Sequence, residues 1–398
     1  MSRHIDEEGV AMFLTVYPQV LQWVSLKKRD LPKLTWPIMR LFLFSSQQND
    51  SAKFFHYTES GEDELSLLLD VQMLKLFKDS LKEQDQMKVI GGPMRAVQVL
   101  EGERGSGDFS CIASVSGVLA AAGHSIFYLS SGAADYVLVQ STQLQSCLKS
   151  LEKSFKIITE ELPAKSESSS LELAAPHDRF SSMDEGPKNF SFGARHTPSS
   201  HSSVLYAADR SDEDTSFEKK VIEEEEASKS PKAADAVPKE SGRASSGRRL
   251  RSLQPKLVTF SLKLDQMDRM YKGLIHLLFF PPSGKETRRF IAYTMVETEV
   301  CMILDTTSYD LFQRYDNGSE KQLSKKPTEI WRALEALGKD GGDFDVSEVG
   351  VVHAMAEPLT KAKINLFYFS TFRTGYVLVL EQNLVESINH LKKNFTLV

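Results

Sequence analysis

The chain contains nearly the same segment twice, SIFYLSSGAADYVLV from Ser125 to Val139 and NLFYFSTFRTGYVLV from Asn365 to Val379. The two copies align without a gap at one offset (365 − 125 = 240), and both end in Tyr-Val-Leu-Val. Apolar residues with helical spacing continue the match, from Leu144, Leu148, Leu151 and Phe155 to Leu384, Ile388, Leu391 and Phe395. Each copy therefore predicts a strand, a tight turn, a strand and an amphipathic helix.

A second pair of similar segments lies upstream of the first. KFFHYTESGEDELSLLLD, from Lys53 to Asp70, resembles RRFIAYTMVETEVCMILD, from Arg288 to Asp305. In each half of the chain the upstream segment precedes the repeated strand–turn–strand unit. The sequence therefore indicates an internal duplication of a half that itself contains two modules.

Composition is typical of an ordinary soluble protein. The 398 residues have a formal net charge of −6 with 26% charged residues, which indicates no general affinity for nucleic acid or anionic membranes. The cysteines Cys111, Cys147 and Cys301 are far apart and match no disulfide framework or zinc spacing. Neither a signal peptide nor a membrane span is indicated, so we expect a cytoplasmic protein.

A change of composition separates the two halves. Residues 161–255 are rich in Ser, Glu and Lys and contain few aromatic residues or apolar runs. Such a segment buries too little surface to offset its chain entropy, so we predict a disordered linker. Arginines precede Ser245, Ser246 and Ser252, which suggests phosphorylation by a basophilic kinase, with a merely solvated basic tract as the alternative.

The order of predicted elements indicates an α+β fold with helices on one face of an antiparallel sheet. The β-α-β-β-α-β unit that fits is the ferredoxin-like ACT module, and four of these account for the length outside the linker. Their predicted ranges are 9–82, 88–160, 256–335 and 340–398. Within the first module, MFLTVYP predicts a strand and QVLQWVSL a helix.

No arrangement of residues indicates catalysis. The nine histidines are scattered, and the sequence has no His-x-x-x-His or Glu-x-x-His pair. A nucleophile elbow and a phosphate-binding loop are both missing from the sequence. We therefore predict that the chain is not an enzyme and has neither a metal nor another cofactor.

Polar residues occur where ACT modules bind small molecules. Ser125 opens a strand, Glu348 and Gly350 lie in a loop rich in glycine and carboxylate, and Thr371 and Phe372 lie in the repeated turn. A zwitterionic amino acid needs donors for its carboxylate and an acceptor for its ammonium group, which a serine and a glutamate supply. The alternative is that these are a strand-capping serine, a solvated loop glutamate and a turn threonine.

Several motifs resemble the CASTOR family, cytosolic arginine sensors of the target-of-rapamycin pathway that consist of four ACT modules. KFFHYTESGED looks like the family's K-F-F-x-x-T-E-x-x-E-D segment, and Glu329 to Arg332 matches its E-[LI]-W-R. SEVGVVHAMAEPL and FYFSTF match the start of its last module. The resemblance implies a non-catalytic sensor that binds a free amino acid between the second and fourth modules.

The resemblance also implies roles for single residues. Ser125 and the backbone at Ile126 would hold the ligand carboxylate, and Glu348 with the backbone near Gly350 would hold the α-amino group. The turn would line the side-chain end of the ligand. The ligand-binding positions implied are Ser125, Ile126, Glu348, Gly350, Val351, Thr371, Phe372, Thr374 and Gly375.

Two departures from the family pattern bear on ligand and partner. Gly375 occupies the position where the family has an aspartate for the guanidinium. The alternatives are arginine with Asp340, Asp343 or Asp345 as its carboxylate partner, another amino acid, or no ligand. The family's partner-binding turn, Tyr-Gln-Thr-Asp, reads GAAD here and keeps only Asp135, the residue expected to contact a protein partner of the GATOR type. A scaffold with a degenerate pocket is the alternative function, and a homodimer is compatible with either.

Overall fold

The computed structural model describes residues 12–44, 54–60, 64–81, 87–100, 110–131, 134–158, 247–280, 289–315, 327–338 and 348–398. Within these residues the order strand, helix, strand, strand, helix occurs four times. The strand pairings between neighbouring elements are antiparallel, apart from two short terminal strands. The predicted α+β class is confirmed.

The first half has seven strands and four helices among its described residues. The strands are β1 (Phe13–Lys27), β2 (Phe54–Glu59), β3 (Glu64–Asp70), β4 (Lys88–Leu100), β5 (Phe127–Ser130), β6 (Asp135–Gln140) and β7 (Lys156–Ile158). The helices are α1 (Thr35–Phe44), α2 (Val71–Lys78), α3 (Ser110–Ala121) and α4 (Leu144–Leu151).

The second half repeats this order in its described residues. Its strands are β8 (Arg249–Lys263), β9 (Ile291–Val296), β10 (Glu299–Asp305), β11 (Trp331–Leu337), β12 (Leu366–Ser370), β13 (Gly375–Leu380) and β14 (Thr396–Leu397). Its helices are α5 (Leu264–Phe279), α6 (Thr306–Gln313), α7 (Val351–Lys361) and α8 (Leu384–Leu391).

All 14 strands belong to one sheet that closes on itself. The order is β10-β9-β2-β3-β1-β4-β6-β5-β12-β13-β11-β8, and β8 pairs again with β10. The halves join at two places, where β2 lies beside β9 with Tyr57 opposite Tyr293, and where β5 lies beside β12 with Leu129 opposite Phe369. The short strands β7 and β14 flank β1 and β8.

Apolar side chains on the two faces of the sheet form three cores. One outer core lies under α3, α4, α7 and α8, and another under α1, α2, α5 and α6. The inner core lies inside the closed sheet and includes Trp23, Phe54, Leu138, Phe290 and Tyr376. Every residue of β2 and β9 is buried, because both faces of these strands are covered.

Equivalent aspartates end β3 and β10 and fix the helix that follows each strand. Asp70 accepts hydrogen bonds from the backbone N–H of Met73 at 2.8 Å and of Phe54 at 3.1 Å. Asp305 accepts in the same way from Ser308 at 2.8 Å and Phe290 at 3.0 Å. Each carboxylate thus caps a helix N-terminus and ties it to the start of the neighbouring strand.

The predicted helix at QVLQWVSL is wrong, because β1 is a single 15-residue strand. Its residues from Leu21 to Lys27 pair with β3, and Trp23 is fully buried in the inner core. Most side chains on both faces of this stretch are at least partly buried, so the alternation expected of a strand is missing. The first helix is instead α1.

Two predicted boundaries also differ from the structure. Strand β8 begins at Arg249, so residues 249–255 belong to the sheet, whereas residues 161–246 of the predicted linker lie outside the described residues. Ser252 lies in this strand with a buried hydroxyl, which is incompatible with an exposed kinase site. Strand β11 pairs with β13 and is therefore the first strand of the fourth unit. The third module was predicted to end at residue 335 and the fourth to begin at 340, so the predicted boundaries cut through this strand.

We expect the two halves to stay together after the chain is cut between them. The contacts at β2–β9 and β5–β12 bury continuous apolar surface that would be exposed by separation. A protease site inserted within 165–242 and cleaved should therefore give one peak on size exclusion at micromolar concentration. Elution of two separate halves would contradict this architecture.

His56 links the halves in the inner core and is buried as a neutral ring. Its Nδ1 lies 2.8 Å from Thr294 Oγ1, and the rings of Trp23 and Phe369 pack beside it. Burial lowers the pKa of His56 from 6.5 to about 3.

This pKa predicts that stability falls in mild acid. Between pH 6.5 and about 3 the unfolded state binds a proton at His56 that the folded state does not, so stability is complete above 6.5 and is lost as the pH falls. His56 should account for a loss of about 2 kcal/mol between pH 7 and pH 5. In denaturant unfolding, His56→Gln should lose less unfolding free energy between pH 7 and pH 5 than wild type does. His390→Gln, on the outer helix α8, should lose as much as wild type.

Candidate functional site

The two copies of the repeated segment lie side by side. The backbone N–H of Tyr128 donates to Ser370 Oγ at 3.1 Å, and the N–H of Tyr368 donates to Ser130 Oγ at 3.2 Å. The rings of the two tyrosines meet edge-on, with centroids 6.2 Å apart. Because each contact is repeated with the copies exchanged, a local twofold axis passes between β5 and β12.

The helices of the second and fourth units cross beside this axis. Gly117 of α3 lies under His353 of α7, where an added Cβ would come within 2.9 Å of the imidazole ring. His353 Nδ1 donates to the carbonyl oxygen of Ala113 at 3.1 Å. This close crossing fixes the start of α7 against the first half of the chain.

A cleft opens between the start of β5 and the start of α7. Eight of the nine residues predicted to bind the ligand line it, namely Ser125, Ile126, Glu348, Val351, Thr371, Phe372, Thr374 and Gly375. Phe127, Val352, Tyr368 and Ser370 complete the lining. The structure therefore brings residues from the two halves of the chain into one site.

Gly350 is the predicted residue that does not line the cleft. It is the N-terminal cap of α7 with φ of 82°, a left-handed conformation that glycine adopts without strain. An added Cβ would lie 3.6 Å from the Cβ of Ala120 on α3. Gly350 therefore turns the chain into α7, which places Glu348 and Val351 at the cleft.

Arg248 is a residue of this site that the sequence did not indicate. Its Nε donates to Glu348 Oε1 at 2.6 Å, and another guanidinium nitrogen donates to the carbonyl oxygen of Val349 at 2.9 Å. Both charged side chains are largely buried, with 13% and 17% of their surface exposed. Glu348, predicted to receive the α-amino group of a ligand, therefore already pairs with a cation of the chain itself.

Ser125 bridges the halves at the mouth of the cleft. Its hydroxyl donates to the carbonyl oxygen of Glu348 at 3.3 Å. The apolar wall beside it is formed by Phe127 and Phe372, whose rings stack with centroids 6.0 Å apart. Gly91 lies against Phe372, and its φ of 66° with close ring contact requires glycine.

The turn between β12 and β13 is held by two threonines. The N–H of Thr371 donates to the carbonyl oxygen of Thr374 at 2.8 Å, and the N–H of Thr374 donates back to Thr371 Oγ1 at 3.1 Å. The two hydroxyls lie 2.9 Å apart. The predicted role of this turn at the ligand side chain remains a prediction, but its shape is fixed before any ligand binds.

Tyr368 fills the space beside Gly375. A Cβ added to Gly375 would overlap the Tyr368 hydroxyl. Burial raises the pKa of Tyr368 well above its usual value, while Arg248 acts on this pKa in the opposite direction. The side-chain end of the cleft therefore presents a neutral phenol beside Gly375, the position at which the CASTOR-family pattern has an aspartate.

A buried hydrogen-bond network holds the strand behind Gly375. Tyr376 donates to Glu335 Oε1 at 2.9 Å and accepts from Ser60 Oγ at 2.8 Å. Arg251 donates to the other oxygen of Glu335 through Nε at 2.8 Å. Since Glu335 is 3% exposed and fully engaged, the network fixes the backbone of β13 next to the cleft.

Asp135 ends the corresponding turn in the first half. Its carboxylate accepts a hydrogen bond from the hydroxyl of Tyr128 at 2.9 Å. The side chain is thus held against its own module, and its predicted contact with a protein partner remains a prediction.

The described residues contain no group of three His, Cys, Asp or Glu residues that could hold a metal ion. None of their helices is long and apolar enough to cross a membrane.

We predict that Gly375→Ala destabilises the protein through the Tyr368 hydroxyl. Because the network at Tyr376 holds the backbone, Tyr368 would have to move, at a cost of roughly 1–3 kcal/mol. Tyr368→Phe removes the hydroxyl and should restore most of this loss in the double variant. The free energy of unfolding is measured by denaturant titration. If Gly375→Ala lowers it equally in wild type and in Tyr368→Phe, the Tyr368 hydroxyl is not what the added methyl group clashes with.

Comparison with known proteins gives matches in both halves. Residues 92–153 and 328–393 match the ACT domain family. Two relatives are named "Cytosolic arginine sensor for mTORC1 subunit 1", from Bos taurus and Homo sapiens, each 27% identical over 154 residues. Each match covers 36% of this chain, which spans 44% of the relative's length.

A similar solved structure is an aspartate kinase from Synechocystis. It is 9% identical, covers 98% of this chain and 57% of its own, and has a TM-score of 0.30, which is too low to support an argument. The matches to the ACT family are independent of it. Both halves of the chain therefore contain an ACT domain, and the resemblance to the cytosolic arginine sensors is confirmed.

Proposed function

We propose that this chain is a non-catalytic sensor of a free amino acid, built from four ACT modules and acting in the cytosol through a protein partner. The two modules outside the matched segments have the same element order and the same place in the duplication. The name of the relatives supplies the signalling context, regulation of mTORC1. A partner of the GATOR type is implied only by the resemblance of the sequence to the CASTOR family.

The observation that carries this proposal is that Ser125 and Glu348 lie on one cleft. They are 223 residues apart in the chain and come from different halves. A ligand bound there would contact both halves at once, so its binding free energy would favour one relative arrangement of the two walls. Such a differential contact is what allows a small molecule to shift a conformational equilibrium.

The proposed roles follow from the polar groups at the cleft. Ser125 and the backbone at Ile126 donate to the ligand carboxylate, and Glu348 accepts from its ammonium group. Val351, at the start of α7, lies beside this ammonium position. Thr371, Phe372, Thr374 and Gly375 enclose the side-chain end.

The ion pair with Arg248 makes ligand binding a competition. The ligand ammonium must replace or share the guanidinium at Glu348. The cleft is partly open to solvent and has a volume of about 30 Å³, which is enough for water but too small to hold an amino acid between its walls. Ligand entry therefore requires a wall to move, and Arg248 and the Phe372 ring are the groups placed to do so.

The side-chain end of this cleft favours a neutral amino acid. Glu348 is the only acidic residue among its described lining residues, and Arg248 already neutralises that charge. A buried cation without a carboxylate partner loses several kcal/mol of stabilisation, on the order of 2–5 kcal/mol. Among the described residues, an arginine side chain would therefore have no carboxylate partner at this end of the cleft.

A second candidate function is a regulatory scaffold whose cleft is permanently filled by its own side chains. The small enclosed space and the Arg248–Glu348 pair favour it. In this case the protein would act through its surface alone, and Asp135 would be one candidate contact for the partner.

We expect one or a few neutral amino acids to raise the unfolding midpoint in a panel of the common amino acids. Ser125→Ala and Glu348→Ala should each lower affinity for those ligands roughly ten- to a hundredfold, because each removes a hydrogen bond to a charged group. Calorimetry measures the change.

Glu386→Ala, which removes a carboxylate 60% exposed on α8, is the matched control and should leave affinity unchanged. A panel without any shift would favour the scaffold. If Ser125→Ala and Glu348→Ala both leave the affinity unchanged, the amino acid binds elsewhere.

A further inference from the structure

The local twofold axis implies that the cleft has a counterpart on the other side of β5 and β12. The reciprocal hydrogen bonds from Tyr128 to Ser370 and from Tyr368 to Ser130 show that β5 and β12 are equivalent across this axis. The first cleft uses the start of β5, the start of α7 and the end of β12. The counterpart uses the start of β12, the start of α3 and the end of β5.

The residues at the counterpart are read from the same alignment. Asn365 and Phe367 take the places of Ser125 and Phe127, and Cys111 takes the place of Val351. Tyr128, Ser130 and Asp135 take the places of Tyr368, Ser370 and Gly375. Polar groups at the mouth and an aromatic wall are therefore kept on both sides of the axis.

The charge at the turn differs between the two positions. Beside Gly375 the Tyr368 hydroxyl occupies the space that a side chain would need. At the counterpart, Asp135 fills that space and accepts from the Tyr128 hydroxyl at 2.9 Å. Tyr368 thus occupies the side-chain end of the first cleft, whereas its equivalent Tyr128 donates a hydrogen bond that orients the carboxylate of Asp135.

The cation at the other end of the site also differs. Arg248 immediately precedes β8, and the residue that immediately precedes the equivalent strand β1 is Met12. Met12 packs against the outer core and carries no charge. The first position thus has an internal cation and Gly375 at the turn. The counterpart has Asp135 at the turn and, among the described residues, Met12 in place of the cation.

We propose that this counterpart is a second amino-acid site, and that Asp135 makes it selective for a cationic side chain such as that of arginine or lysine. The inference rests on the proposed function, since it takes the first cleft to be an amino-acid site. A guanidinium or ammonium group at the end of the ligand would pair with Asp135, which Tyr128 holds in position. The two sites would read a neutral and a cationic amino acid separately.

The test compares L-arginine with L-citrulline, its neutral analogue of the same shape, by calorimetry on the full chain. Wild type should bind arginine at least tenfold more tightly. Asp135→Asn keeps an acceptor for Tyr128 but removes the charge, and should abolish this preference. Asp135→Glu restores the charge and should recover it, and the control Glu386→Gln on the outer helix α8 should leave it unchanged.

Three results would overturn the proposal: no binding of arginine to wild type, an arginine preference that survives Asp135→Asn, or one that the control Glu386→Gln also removes. Should Asp135→Asn fail to fold, Asp135→Gly replaces it, since glycine occupies the equivalent position at Gly375. If Glu348→Ala weakens the binding of neutral amino acids but Asp135→Asn leaves the arginine affinity unchanged, this inference alone is refuted. Failure of every amino acid to bind would refute the proposed function as well.

Discussion

Two hydrogen bonds between the halves set the geometry on which the candidate site depends. Each joins a backbone N–H of one copy to a serine hydroxyl of the other, at Tyr128–Ser370 and Tyr368–Ser130. A buried N–H without a partner costs about 1–3 kcal/mol, so the copies are held in one register. That register places the start of β5 beside the start of α7, and the cleft follows from it.

The sequence predicted the duplication, the element order and the set of residues around the cleft. The duplication and the element order are local or periodic features: the repeated segment carries its own strands, and the 240-residue offset pairs the copies. The set of cleft residues was instead implied by the resemblance to the CASTOR family. QVLQWVSL was misread because a strand covered on both faces loses its alternation. Arg248 was missed because its partner lies 100 residues away and its neighbours resemble a polar linker.

The duplicated halves keep their backbone while changing their chemistry. The turn after α3 has Gly123 at φ of 79°, and the turn after α7 has Lys363 at φ of 57°, so the same left-handed bend is retained with an unfavourable residue in one copy. A duplicated chain has a freedom that a symmetric dimer lacks, since a substitution in one copy leaves the other unchanged. This divergence is visible on the two sides of the axis, where Gly375 corresponds to Asp135 and Arg248 corresponds to Met12.

Closure of the sheet limits how another protein can recognise this one. A long strand with unpaired N–H and C=O groups allows a partner to add a strand of its own. In the described residues both flanks of the long strands are occupied over most of their length, and the terminal strands β7 and β14 have three and two residues. Recognition by backbone pairing is therefore disfavoured within the described residues, where a partner would bind through the side chains of helices and turns. Its affinity then depends on individual surface residues, which substitution can change without disturbing the sheet.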